Sequence, residues 1–206
     1  MRTPLFRVAP VLLATLLTGA CAATGEQSTA GPTETGSVES ALSERSDAMP
    51  AEANDTDIHF LGMMVPHHQQ AIDMADVLLA SGVADPEVRD LAQRIRDGQQ
   101  RENDRMNELA EQWRIDADME LHSHHIANGM VSPGVMDTYS RLEGGQLRTR
   151  FLELMHHHHE EVIRMTQDQV DNGGHQPLRD LAHEMIEVQT AEMREMEELY
   201  GGVPGA

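Results

Sequence analysis

The chain has 206 residues, a net charge of −20, one cysteine and no lysine, so that its 15 basic residues are all arginine. This length is typical of one domain or two small ones, and a single cysteine excludes an internal disulfide. The excess of acidic residues repels nucleic acid and excludes a DNA-binding or RNA-binding role.

Residues 1–20 are predicted to be a lipoprotein signal peptide. Arg2 and Arg7 flank the start of the apolar run "VAPVLLATLLTGA", and small residues directly precede Cys21 in "LLTGAC". The run is too short to span a bilayer as a mature helix, so we expect export and lipidation of Cys21, anchoring the chain to the periplasmic or extracellular face of a membrane. Ordinary signal-peptidase cleavage near the same point is the alternative, because Leu17 lies four positions before Cys21 instead of three.

The segment 21–56 is predicted to be a flexible tether. It is rich in Ser, Thr, Gly, Ala and Glu and shows no apolar periodicity. Such a composition cannot bury enough apolar surface to fold, and it would hold the following domain away from the membrane.

Four long helices are predicted after the tether. The apolar periodicity turns helical at Asp57, breaks at "ASGVADP" and resumes over about 86–112, 146–170 and 177–200. A short helix is expected after Ser132, which suits an N-cap before Pro133.

The sequence repeats itself. The stretch "FLGMMVPHHQQAIDMA" recurs 91 residues later as "FLELMHHHHEEVIRMT", and in the helix that follows each copy the offset is 90. At that second offset Gln99 matches Gln189, and Glu102 matches Glu192.

The two repeats, residues 57–112 and 146–200, predict an all-α fold. The short turn inside each repeat makes it an antiparallel helical hairpin with one apolar face. Two such hairpins bury those faces best against each other, as a four-helix bundle.

A polar layer is predicted inside this bundle. His67 lies in the middle of the apolar stripe of its helix and His68 on the flank of that stripe. The turns bring His67 level with Gln99 and Glu102, and they bring the repeat counterparts together at the same height. We expect one methionine layer beside this polar layer.

The polar layer has two interpretations. Buried polar groups require partners, so the layer is either a closed hydrogen-bond network or a metal site. Met64 precedes His68 by one helical turn, and Met155 precedes His159 in the same way. Thioether and imidazole without thiolate select soft ions, above all Cu(I) and by extension Ag(I).

A second candidate metal site lies in the connection between the repeats. The segment "LHSHHIANGM" contains His122, His124 and His125. A solvated His-rich loop with only adventitious metal affinity is the alternative.

At these residues the chain resembles the DUF305 family of exported bacterial proteins, over about residues 57–200. The resemblance is carried by "FLGMMVPHHQQAIDMA", "AQRIRDGQQRENDRM", "FLELMHHHHEEVIRM" and "GMVSP". It implies a ferritin-like four-helix bundle and, through the CopM-like members of the family, copper binding by Met and His. The second copy departs from the family pattern at His156 and His157.

The family resemblance and the predicted polar layer each contribute candidate metal ligands. Those favoured by the resemblance are Met64, His67, His68, Met74, Met155, His158, His159 and Met165. The polar layer adds Glu102 and Glu192.

Three functions follow from these patterns. The first is an exported, lipid-anchored protein that binds Cu(I) for buffering, transfer or resistance, with a metal-exchange protein and a second copy of the chain as the protein partners to consider. The second is a structural or partner-binding bundle. The third is a ferritin-like di-metal enzyme using Glu102, Glu192, His67 and His158. The Glu-x-x-His pair typical of such enzymes is absent, and no nucleophile or phosphate-loop motif is present, so we do not predict an enzyme.

Overall fold

The computed structural model describes residues 48–115 and 129–205, and within these ranges it contains helices and no strand. The helices are α1 (Asp55–Ala80), α2 (Pro86–Trp113), α3 (Pro133–Tyr139), α4 (Gly144–Asn172) and α5 (Gln176–Tyr200). The predicted all-α bundle of two helical hairpins is confirmed. The signal peptide with Cys21, most of the tether, and the three loop histidines His122, His124 and His125 lie outside the described residues.

Side-chain caps fix where α1, α2 and α3 begin. The Asn54 side chain accepts from the amides of Thr56 and Asp57, at 3.0 and 3.2 Å, and the Asp57 carboxylate accepts from the Asn54 amide at 2.8 Å. This capping box starts α1 two residues before the predicted Asp57. Ser132 caps α3 as predicted, and α1 continues as a helix through Pro66.

Helices α1 and α4 pack against each other and run antiparallel. At one end the Asn54 side chain donates to the Asn172 carbonyl at 3.0 Å, and further along His158 contacts His67. The two hairpins are therefore related by an approximate twofold axis. In an antiparallel pair, repeat counterparts can lie level with each other at only one height, and here that height belongs to His67 and His158.

The apolar core is divided into two clusters by buried polar residues. Met64 and Met106 belong to one cluster, and Met155 and Met196 belong to the other. The expectation of one methionine layer is wrong, because the antiparallel arrangement of α1 and α4 sends corresponding methionines to opposite sides of the axis. The buried polar residues at matching positions of the two repeats are His67, His68, Gln99, His158, His159, Gln189 and, in the second repeat, Glu192.

The end of the connection between the hairpins is attached to α1 one turn from His67. The Gln70 side chain donates to the Val131 carbonyl at 2.9 Å and accepts from the Val131 amide at 2.6 Å. The buried hydroxyl of Tyr139 in α3 donates to the Met74 carbonyl at 2.7 Å. These bonds hold the wall of the bundle beside the polar layer.

Each hairpin holds the turn of the other through a pair of repeat counterparts, Asp57 and Arg148. The fully buried Asp57 carboxylate accepts from the Gln169 side chain at 2.6 Å and from the amides of Gly174 and His175 at 3.0 and 3.1 Å. These amides belong to the α4–α5 turn, at the start of α5.

The side chain of Arg148 does the same for the α1–α2 turn with opposite charge. Its guanidinium donates to the Asp85 carboxylate at 2.5 Å and to the Leu199 carbonyl at 2.8 Å. Asp85 is the N-cap of α2, and the hydrogen bond from Arg148 holds the pKa of this carboxyl below its ordinary value. Matching positions in the two repeats therefore both contact the turn of the other hairpin, one through a carboxylate and the other through a guanidinium.

The substitution Asp57→Asn tests the buried carboxylate. We expect it to lower the free energy of unfolding by about 2–4 kcal/mol, because an amide group would face the N–H donors that the carboxylate now satisfies. Chemical denaturation followed by far-ultraviolet circular dichroism measures the loss. Asp55→Asn, in the same first turn but exposed, is the matched control, and an equal loss in both variants would contradict the assignment.

Candidate metal centre

Two repeat-related histidine–glutamate pairs form the flanks of the polar layer. In the first hairpin His68 Nε2 donates to Glu102 Oε2 at 2.7 Å, and in the second His159 Nε2 donates to Glu192 Oε2 at 2.8 Å. Both imidazoles are fully buried, whereas the glutamate side chains are 17% and 10% exposed. Each glutamate therefore connects a buried histidine to the protein surface.

The centre of the layer is the contact between His67 and His158. Their ring centroids are 3.8 Å apart, and the planes are tilted by 50°. His158 Nε2 donates to the His67 carbonyl at 3.1 Å, which assigns the proton of the neutral ring to Nε2.

His158 is held in its neutral form. Burial is the largest cause that lowers its pKa well below the ordinary value of 6.5, and the nearby His67, His159 and His68 lower it further. A neutral imidazole keeps a lone pair on Nδ1, so no proton competes with an ion for this nitrogen at neutral pH.

Several buried polar atoms of the layer have no hydrogen-bond partner among the described residues. They are Nδ1 of His68, His158 and His159 and the amide nitrogens and oxygens of Gln99 and Gln189. Each unsatisfied buried group costs about 1–3 kcal/mol. The layer therefore has donors and acceptors that an ion or water can use.

The histidine–glutamate pairs have the form of metal ligands with their supporting carboxylates. A ligating histidine usually donates its second ring nitrogen to a carboxylate, which fixes the tautomer and raises the basicity of the first. His68 and His159 both have this arrangement. In each ring Nε2 is hydrogen-bonded to a glutamate, and Nδ1 has no hydrogen-bond partner among the described residues.

The structure distributes the predicted methionine ligands on both sides of the layer. Met64 is fully buried in one apolar cluster, Met155 and Met74 are fully buried in the other, and Met165 packs half-buried against the cluster of Met64. Across residues 48–115 and 129–205, no three side chains of the types His, Cys, Asp and Glu are grouped so that they could hold a metal ion. The predicted di-metal group of Glu102, Glu192, His67 and His158 is therefore not assembled.

Two polar contacts of the site were not expected from the sequence. The buried Asn103 donates from Nδ2 to the Val65 carbonyl at 3.1 Å, one turn from the histidines. His156 Nε2 lies 3.2 Å from Glu197 Oε1 and forms a third histidine–glutamate pair. This pair has no counterpart, because the position of His156 is occupied by Val65 in the first repeat. Asn103 follows Gln99 by four residues on the buried face of α2, and this helical spacing is the sequence signal that could have found it.

The chain matches a family profile and several solved structures. The family described as "Domain of unknown function (DUF305)" matches over residues 57–200. A DUF305 protein of Streptomyces coelicolor, inferred to be secreted, has 27% identity and a TM-score of 0.66, covering 76% of this chain and 99% of its own. A DUF305 fragment of Deinococcus radiodurans has 28% identity and a TM-score of 0.63, covering 72% of this chain and 97% of its own. None of the curated proteins matches.

A third similar structure is CopM, which has been solved with Cu(I), Cu(II) and Ag. The Cu(I)-bound form has 28% identity with this chain and a TM-score of 0.58, and the match covers 72% of this chain and 97% of CopM. Among the described residues of this chain, no helix is long and apolar enough to cross a membrane.

The neutral state of His158 predicts a pH dependence of stability. Its folded pKa lies below its unfolded value of about 6.5, so between these two values the unfolded chain binds more protons. The free energy of unfolding should then fall as the pH drops below about 6.5, by up to about 1.4 kcal/mol per pH unit. In His158→Gln this contribution to the slope should be absent. Denaturation between pH 7 and pH 5 measures the slopes, with His157→Gln at the exposed neighbour as control. Identical slopes in wild type and His158→Gln would show that His158 does not contribute to the pH dependence of stability.

Proposed function

This chain belongs to the DUF305 family, and we propose that it is an exported, membrane-anchored protein that binds Cu(I) in its buried histidine layer. The observation that carries the proposal is the repeated pair of buried histidines, His68 and His159, each bonded to a glutamate through Nε2 and each with an unpartnered Nδ1 among the described residues. The lone pair of that nitrogen is available to an ion.

Methionine sulfur is the second ligand of the proposed sites. Met64 and Met155 precede His68 and His159 by four residues on α1 and α4, and side chains with this spacing are neighbours on a helix surface. A thioether–imidazole pair suits a soft ion that accepts few ligands, which favours Cu(I) over Zn²⁺ and Mg²⁺.

Charge also favours a monovalent ion. Burying an uncompensated charge is costly, and each proposed site contains one carboxylate, Glu102 or Glu192, beside neutral ligands. One Cu(I) with one glutamate gives a neutral site, whereas a divalent ion would leave a buried positive charge. Ag(I) satisfies the same condition and is the expected substitute for Cu(I).

The likeness to CopM supports this reading. The similarity spans nearly all of CopM, whose structures contain Cu(I), Cu(II) or Ag. Its identity to this chain, 28–29%, is modest, so the argument for this chain rests on its own histidines and methionines.

The place of action is the cell envelope. A similar protein is inferred to be secreted, and residues 1–20 have the pattern of a lipoprotein signal ending at Cys21. A Cu(I)-binding domain tethered there would buffer the ion or hand it to a metal-exchange protein. Met74 and Met165 are further candidate ligands for ions in transit.

A structural bundle is the second candidate. The hydrogen bonds of His68 to Glu102 and of His159 to Glu192 already satisfy one nitrogen of each ring. The remaining unpartnered atoms could be satisfied by buried water. In that case the layer would fix the register of the four helices and bind nothing.

A Cu(I) titration against a competing chelator under reducing conditions separates these candidates. We expect saturable binding by the wild-type protein and its loss in His68→Ala/His159→Ala, because the imidazole ligand of each site is removed. The control is His157→Ala/His183→Ala, which removes two exposed histidines and should bind like wild type.

The titration also has an outcome against the proposal. If the wild type and His68→Ala/His159→Ala bind Cu(I) equally weakly while the variant loses stability, the histidines are structural and the copper proposal fails. Far-ultraviolet circular dichroism of each variant shows whether it is folded.

The supporting carboxylates give a second test. In Glu102→Gln/Glu192→Gln the Cu(I) affinity should fall by about 10–100-fold, the usual effect of losing the partner of a ligating histidine. The same titration measures it, and Glu108→Gln/Glu198→Gln on the same two helices is the control. An unchanged affinity would mean that Cu(I) binds elsewhere.

A further inference from the structure

The buried layer raises the question of how an ion reaches it. His68 and His159 are fully buried, so a helix–helix interface must admit the ion. Helices α2 and α5 pack much less extensively against each other than the neighbouring helix pairs α1–α2, α4–α5 and α1–α4 do. The interface between α2 and α5 is therefore the least tightly packed of these four helix–helix interfaces.

A groove of about 460 Å³ lies along this interface. Its lining includes Glu192, whose carboxylate accepts the hydrogen bond from His159. One side chain thus borders the groove on one side and the histidine layer on the other.

The groove is open where α2 has no side chain. Gly98 lines it, and a Cβ atom added there would meet only the guanidinium of Arg101, at 3.9 Å. The counterpart of Gly98 on α5 is Val188, which also lines the groove and is 49% exposed.

The charges along the groove suit a cation. Its lining contains two arginines and three carboxylates. Hydrogen bonds to Asp90 and Glu195 neutralise Arg94. Arg101 then stands against Asp97 and Glu192, so the lining keeps a net negative charge, which favours the approach of a cation.

Two exposed ion pairs hold α2 and α5 together. Arg94 lies 2.5 Å from Glu195, and Arg105 lies 3.3 Å from Glu184. Exposed pairs of this kind contribute about 0–1 kcal/mol each. They add little to the stability of the interface between α2 and α5.

We propose that the α2–α5 groove is the port through which a soft monovalent cation enters and leaves the histidine layer, with the Glu192 carboxylate at the boundary between the groove and the layer. This inference rests on the proposed Cu(I) binding. It assigns a role to the weakly packed helix face and to the absence of a side chain at position 98.

The test blocks the groove without touching the proposed ligands. Gly98→Phe and, separately, Val188→Phe place a ring in the groove, and Gly145→Phe places one at another helical glycine with nothing within 4 Å of its Cβ position. Transfer of Cu(I) from a coloured chelator, followed by stopped-flow absorbance, gives the association rate, and competition with a chelator gives the dissociation rate and the affinity.

An obstacle on the path raises the barrier and leaves both end states unchanged. We therefore expect both rates to fall by at least about tenfold in the two groove variants, with the affinity unchanged, and Gly145→Phe to behave like wild type. Unchanged rates in both groove variants would contradict the port proposal, and so would slow association with a matching loss of affinity. Neither result would contradict Cu(I) binding itself. Absence of binding by the wild type would overturn the proposed function and the port together.

Discussion

The contact between His67 and His158 is the constraint on which the rest of the structure depends. Their rings lie 3.8 Å apart at the one height where antiparallel α1 and α4 bring repeat counterparts together. From this point the approximate twofold axis places one histidine–glutamate pair on each side and divides the apolar core into two clusters. The chain contains the cluster of histidines twice because one copy supplies only half of the layer.

Duplication gave the hairpins the same shape, and charge makes them complementary. Arg94 and Arg105 of α2 face glutamates of α5, and the repeat counterparts of these arginines are themselves Glu184 and Glu195. The buried Asp57 likewise has Arg148 as its counterpart. Two copies of the first hairpin would bring arginine against arginine, so these exchanges favour pairing of unlike hairpins within one chain over pairing of like hairpins between chains.

The fold could be predicted from the sequence because helical periodicity and the internal repeat both require it. The membership of the polar layer also followed, since each hairpin turn sets which residues are level. The residues that each histidine contacts could not be predicted from the sequence. Glutamate pairs with His68, on the flank of the stripe, while His67 at its centre contacts the other hairpin. The turn of a hairpin determines which residues of its two helices lie side by side, but it does not determine how one hairpin is aligned with the other. That alignment also places the methionines in two separate clusters.

The side-chain amides of Gln99 and Gln189 have no hydrogen-bond partner among the described residues, and each such buried group lowers the stability of the fold by about 1–3 kcal/mol. Well-packed leucines at such positions would remove the desolvation cost, and replacing buried polar groups by apolar ones of similar volume often stabilises a protein. The layer nevertheless occurs in both halves, at the same height and with the same residue types, and the packing of an apolar core does not explain it.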